Sequence, residues 1–292
     1  MSERLTSTER HQRGEVLRRW RRHPGIILGS FVLFLFGVVA LLSPLLSPYD
    51  PYHIPEGLEA MSLLSPRPGH WFGTDLLGRD LLSRIFYGAR VSLLVGVVVE
   101  LLVTPIGVTI GLFAGYFGGR IDSVLMRITD SVMAFPGLVL AIALTAVLEK
   151  PGLFSVVLVL TAVRWTTVAR IVRGQVLSLR EAEYISAISA LGAGKARIIF
   201  RHLLPNCLAM ILVAMTFGVA SNILSEAGLS FLGLGVQPPT VSWGSLLAEG
   251  IIYLTVKPWL CIFPGLAITC TVLGFHVLGD GLRDLLDPRL RA

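Results

Sequence analysis

Charge is what this 292-residue chain has least of: Asp, Glu, Lys and Arg make up 15% of it, against 53% apolar residues. A soluble domain carries roughly a quarter charged residues, so an ordinary water-soluble globule is excluded. Cysteine is scarce as well. The three present, Cys207, Cys261 and Cys270, lie in or beside apolar runs, and neither a disulfide framework nor a metal-binding spacing follows from them. A nucleotide signature is missing: Gly194-Lys195 is followed by Ala196 where a hydroxyl is required, and Ser189 stands where the first glycine belongs. The histidines are scattered and mostly in loops, so no nucleophile or metal constellation assembles for a membrane enzyme. An ion-coupled transporter or channel should show span carboxylates in repeated halves. Glu100 alone sits well inside a span and no internal repeat is found, which leaves that class as the rival reading.

What is present is a series of apolar runs, each near the ~20 residues that cross a hydrocarbon core. Residues 1–25 read as a basic cytoplasmic tail, since the apolar run that follows is too long for a cleavable signal and lacks a small-residue cleavage site. The first span covers 26–47, and a polar, proline-bearing extracytoplasmic segment covers 48–88. Residues 89–279 form a five-helix core, interrupted by a cytoplasmic loop at 178–205, and 280–292 form a second cytoplasmic tail. Within the core the spacing predicts spans at 91–114, 128–148, 153–172, 207–224 and 259–279. Gly118 to Arg127 reads as a polar inner turn, and Pro136 predicts a kink in the third span. The class is therefore an all-α integral membrane protein with six transmembrane helices.

Three features stand out along this framework. Gly73, Thr74, Asp75, Gly78, Arg79 and Asp80, with Arg84 just beyond, place carboxylates beside arginines in the outer segment. With no histidine between them, the alternating signs favour a salt-bridged turn over an acid–base pair or a metal site. In the second span Gly107, Gly111, Gly115 and Gly119 recur every four residues, giving one face on which another helix can approach closely. Glu100, in the same span, is either a pathway carboxylate or an interface residue bonded to a neighbour. His276 is lone, and a buried, hydrogen-bonded histidine is favoured over a ligand.

The stretch from Ser178 to Asn206 is neither apolar enough to span nor loose enough to be a linker. Ser178 and Glu181 fit a capping box, and Tyr184, Ile185, Ala187, Ile188 and Leu191 then recur at helical spacing. Gly192 can end that helix by entering the left-handed region. A basic segment with Lys195, Arg197 and Arg201 follows and is predicted to stop at Pro205. Spacing alone fits equally an amphipathic stretch lying on the membrane surface.

A small-residue helix, a glycine break and a basic helix closed by proline resemble the loop that ABC importer permeases insert into their ATPase subunits. Ser186, Ala187 and Ile188 stand at that family's Glu-Ala-Ala positions, Gly192 at its glycine, and His202, Leu204 and Pro205 at its closing Ile, Leu and Pro. Ser186, Ile188 and His202 depart from the pattern. The outer run from Gly73 to Arg84 and the strings SEAGLSFLGLG and PPTVSWG, from Ser225 to Gly244, resemble dipeptide and oligopeptide permeases more specifically. The whole chain from about Ile26 to Arg291 is most similar to the second permease of dipeptide systems, in the dipeptide, oligopeptide and nickel family.

That resemblance implies a type I ABC importer permease fold. It implies a heterodimer with a second permease, two ATPase subunits and an extracytoplasmic solute-binding protein, all in the lipid bilayer of the inner membrane and without nucleic acid. It assigns the ATPase contact to Glu183, Tyr184, Ser186, Ala187, Ile188, Ala190, Leu191, Gly192, Leu204 and Pro205. No cofactor or metal is expected in this chain, and no enzyme activity, because ATP and Mg would be bound by the partner ATPase subunits.

Charge placement gives the orientation. With both termini inside, nineteen of the 25 Lys and Arg fall on the inner side, and Arg67, Arg79, Arg84, Arg90, Lys150 and Lys257 fall outside. This satisfies the positive-inside rule and places Lys195 in the cytoplasm; it also removes the case for a nucleic-acid binder made by a net charge of +6. The cargo reads as short peptides, with nickel or a metal chelate as the alternative. A path for bare nickel should offer imidazole or sulfur ligands, and Glu226 to Pro258 contains no His, Cys or Met.

Overall fold

A computed structural model describes residues 23–56, 61–148 and 152–286. Among these residues there are helices and no strands, apart from two isolated bridges, Arg67 with His70 and Thr74 with Asp80. Residues 1–22, most of the expected basic tail, lie outside the described residues, as do Glu149, Lys150 and Pro151 of the expected outer turn and residues 287–292. Among the described residues five helices are long and apolar enough to cross a membrane, or six when one sharply bent pair counts as a single span.

Helix α1, Pro24–Leu46, begins with proline at its first turn, where the missing N–H costs nothing, and exposes Phe31, Phe34, Leu41 and Leu45. It lies on the last helix, α9 (Trp259–Leu286), by close backbone approach: a Cβ on Gly29 would stand 2.7 Å from the Leu278 nitrogen. Helix α2, Leu81–Phe117, is 37 residues long, about 56 Å at 1.5 Å per residue. It therefore starts inside the outer segment, ten residues before the position that apolarity suggests. Asp80 caps it, accepting a hydrogen bond from the Ser83 N–H at 2.8 Å.

The expected polar turn after α2 is instead helical. Gly118 and Gly119 turn the chain through positive φ, and helix α3, Gly119–Met133, begins at once. Helix α4, Gly137–Val147, departs from α3 at 84°, the break falling at Ala134–Pro136. Proline has no N–H to continue the ladder, which is why this span is broken rather than gently kinked.

Helix α5, Leu153–Arg180, runs eight residues past the predicted end of its span. Ser178 thus lies in its last turn and Glu181 at its C-cap, and the expected capping box does not form: the N-cap of α6, Glu183–Ala190, is Ala182, without a side-chain bond. Helix α7, Lys195–Phe231, passes straight through Pro205. A π-helical turn at Ile198–Leu203 precedes the proline, so its ring falls on the first turn of the α segment that follows. There the absent N–H leaves no gap in the ladder. Helix α8, Trp243–Gly250, is a short helix opened by a capping box between Ser242 and Ser245.

Two apolar cores hold these helices. One, rich in valine, joins α2, α5, α6 and α7 through Val99, Val103, Val168, Val172, Ile185 and Ile198. The other joins α1, α2, α7, α8 and α9 around Trp243, whose ring meets Phe36 edge-on at 5.7 Å. Helices α2 and α7 belong to both cores, so they tie the 48–88 segment to the 178–205 loop.

Candidate functional site

The outer cluster is built on a turn that glycine permits. Gly73 and Gly78 have φ of +79° and +72°, and a Cβ on Gly73 would meet the Leu64 carbonyl. Thr74 Oγ1 donates to the Met61 carbonyl at 2.5 Å and accepts from the Leu64 N–H at 2.9 Å. Asp75 Oδ1 accepts from the N–H groups of Leu77 and Arg79, while Oδ2 receives Arg79 Nε at 2.7 Å and Arg84 Nη1. Arg84, 2% exposed, also grips Glu249 of α8 through both terminal nitrogens, at 2.5 and 3.0 Å.

Asp80 is bonded to His70 Nδ1 at 2.9 Å, and the His70 ring stacks on Tyr49 with centroids 4.8 Å apart. Sequence reasoning finds neither His70 nor Glu249. His70 lies before the run in which a histidine would be looked for, and Glu249 is 165 residues from Arg84 along the chain. Asp75, Arg79, Arg84 and Glu249 border a cavity of about 490 Å³ between the turn, the 233–240 loop and α8.

Inside the bundle, Gly107, Gly111 and Gly115 face α5. Cβ atoms there would lie 2.6 Å from Val168 Cβ, 2.6 Å from the Ala169 carbonyl oxygen and 2.8 Å from Val176 Cβ. Gly119, the fourth of the repeat, does not join them, because the chain has turned at Gly118 and nothing lies within 4 Å of it. The arginines of α5 fasten the same seam. Arg173 forks onto Asp122 of α3 at 2.5 and 2.6 Å, and Arg180 donates to the carbonyls of Gly115 and Tyr116 at the end of α2.

Glu100 is both bonded and beside a cavity. Thr104 Oγ1 donates to it at 2.9 Å and Asn222 Nδ2 at 3.1 Å, and Gly218 on α7 leaves the space its carboxylate fills. The adjoining cavity, about 420 Å³, is also lined by Arg164, Ser221 and His276. His276 is exposed rather than buried and its ring meets Phe217 at 5.2 Å, so the expectation of a buried, hydrogen-bonded histidine is corrected. A second span carboxylate, Glu226, is fully buried with Ser230 at 2.7 Å and Ser92 at 3.1 Å. Ending the fifth span at Leu224 hides it, because Glu226 then counts as a loop residue; the helix in fact continues to Phe231.

At the other end of the molecule α6 buries little of itself. Ile185 is inserted among Ile198, Ile199 and Leu203, and Ile188 is half-buried. Glu183, Tyr184, Ser186, Ala187, Ala190 and Leu191 are exposed, Leu191 to 87%. Gly192 follows at φ +83° with open space around it. Leu204 is half-buried and Pro205 exposed on the first turn after the π segment. The loop thus presents a short, mostly small-residue helix on two isoleucine anchors.

Apolar helices long enough to cross a bilayer, a sharply bent pair, a short exposed helix at one end and a buried ion cluster at the other describe a multi-pass membrane protein. The family model described as "Binding-protein-dependent transport system inner membrane component" matches residues 107–292, and that described as "N-terminal TM domain of oligopeptide transport permease C" matches residues 12–66. The chain belongs to this family of importer permease subunits. It is 44% identical over 277 residues to the oligopeptide transport system permease protein OppC of Bacillus subtilis (strain 168), covering 95% of this chain and 90% of that one. It is 45% identical over 275 residues to the dipeptide transport system permease protein DppC of the same organism, covering 94% of this chain and 85% of that one. A chain of the inward-facing MetNI methionine ABC transporter superposes with a TM-score of 0.57 at 20% identity, over 70% of this chain and 97% of that one. At that identity the match speaks for the type I importer permease fold.

Proposed function

We propose that this subunit forms half of the translocation pathway of an ATP-driven importer of short peptides. It pairs with a second permease, receives cargo from a solute-binding protein outside and is driven by two ATPase subunits on the cytoplasmic side. The observation that carries the coupling is α6: an exposed helix, anchored by Ile185, on the side of the bundle where charge placement puts the cytoplasm. Closure of an ATPase cleft around such a helix moves the spans behind it as rigid bodies.

Gly192 tests the coupling. Nothing surrounds it, so Gly192→Val carries only the backbone cost of a β-branched residue at φ +83°, about 1–2 kcal/mol. The variant is expected to insert and co-purify with its partners while peptide uptake and peptide-stimulated ATP hydrolysis fall severalfold. Unchanged uptake and hydrolysis would rule out the loop as the ATPase contact, and its cytoplasmic placement would lose that support.

For the cargo, the relatives at 44–45% identity are named for oligopeptide and dipeptide transport. The stretch from Glu226 to Pro258 also contains no His, Cys or Met to ligate a bare metal ion, and His53, Met61 and His70 are too scattered along the chain to form a set. The cognate solute-binding protein is expected to bind di- and tripeptides and not nickel or its chelates. Metal-dependent binding without peptide binding would replace the cargo and leave the importer mechanism in place.

A further inference from the structure

Arg164 is a partly buried charge inside the bundle. It lies mid-way along α5 and lines two cavities at once, of about 420 and 230 Å³. The larger falls in the ~300–1,000 Å³ range of small-molecule sites. Among the described residues Arg164 has no hydrogen-bond or ion-pair partner, whereas Arg170 and Arg173 on the same helix are paired with Asp130 and Asp122. Glu100 lines the larger cavity with it, but the Glu100 carboxylate is already held by Thr104 and Asn222.

An unpaired guanidinium in a span is too costly to face lipid, so the open side of this cavity, where Thr167, Ile171 and His276 are exposed, must face water or protein. Cargo with free termini always brings a carboxylate, whatever its side chains. A guanidinium is the side chain whose planar fork fits that group with two hydrogen bonds.

We infer that Arg164 receives the terminal carboxylate of a peptide passing through this cavity. The inference rests on the peptide reading above and assigns a position to it. Glu100, fixed beside the site, tempers the attraction: it offsets part of the positive field, so the carboxylate is admitted and then released rather than trapped. Conduction requires that balance. Reading the main-chain terminus rather than side chains also lets one pathway serve many sequences.

The test uses the assembled complex of both permeases and both ATPase subunits in nanodiscs, without the solute-binding protein, whose own selectivity would otherwise intrude. A dipeptide carrying a benzophenone side chain is photo-cross-linked to the complex. Ala-Ala and its C-terminal amide then compete for the labelling of this chain. Ala-Ala is expected to compete at a concentration at least tenfold below that of the amide. In R164Q the two should compete equally, and R164K should keep a preference for the free carboxylate.

A merely structural role for Arg164 would weaken both competitors alike and leave their ratio unchanged, which would overturn the assignment. So would a wild-type ratio of one, or the absence of any label on this chain while the complete importer takes up Ala-Ala. If the complete wild-type importer takes up no Ala-Ala, the peptide reading itself falls, and this inference with it.

Discussion

Arg84→Ala is expected to lower the stability of the half of the permease that holds the ion cluster by about 3 kcal/mol or more. The side chain is 2% exposed and bridges Asp75, in the turn before α2, to Glu249 on α8. Its removal strips two carboxylates of their shared cation and opens a void where a long side chain lay. Asp75 keeps Arg79, so the turn itself survives, while the join between the turn and α8 is reduced to the longer contact of Arg79 Nη2 with Glu249 at 3.3 Å. Glu249→Ala should cost far less, about 1 kcal/mol, because the Glu249 side chain is 40% exposed and part of its interaction is already screened by water. Thermal unfolding of the detergent-solubilised subunit, followed by size-exclusion chromatography, separates the two. Equal losses for both variants would mean that Arg84 does not anchor the cluster.

Gly111→Val strikes the seam between α2 and α5. A Cβ there would stand 2.6 Å from the Ala169 carbonyl oxygen, 2.7 Å from Val172 Cβ and 3.0 Å from the Arg173 nitrogen. Two of those three atoms are backbone and cannot rotate aside, so the helices must part. Overpacking of this kind costs about 1–3 kcal/mol. The loss should appear as lower yield of folded subunit and weaker co-purification with partners, since the Arg173–Asp122 fork shares the seam. Gly174→Ala on α5 is the matched control: nothing lies within 4 Å, and an alanine in a helix gains up to about 1 kcal/mol over glycine. Wild-type yield for Gly111→Val would refute the close backbone approach.

The spans are legible in the sequence because an apolar run of bilayer length has few other uses, and a glycine every fourth residue has to fall on one face. What escapes the sequence are effects set by a neighbour's geometry. Pro205 reads as a stop, yet the π turn before it moves the ring to a position where no donor is needed. Pro136 reads as a kink and becomes an 84° break, because α3 ahead of it is amphipathic enough to stand as a helix of its own. The ion cluster is half legible. Asp75 and Arg79 sit one helical turn apart, while Glu249 arrives only through the fold. That the charge of Arg164 has no partner among the described residues is knowable only once Arg170 and Arg173 are seen to have theirs.

The glycine seam has a mechanical corollary. Two helices in backbone contact along three successive turns cannot slide or splay, so α2 and α5 behave as one stiff beam. Helix α6 hangs from the end of that beam by a two-residue link, Glu181 and Ala182. From Arg180 at the hinge to Arg164 in the cavity is sixteen residues, about 24 Å of unbroken helix. A push on α6 therefore reaches the cavity as leverage, with little lost to bending on the way. Compliance is left to the 84° elbow between α3 and α4, whose lower arm is strapped to the beam by Arg173 and whose upper arm is free of that strap.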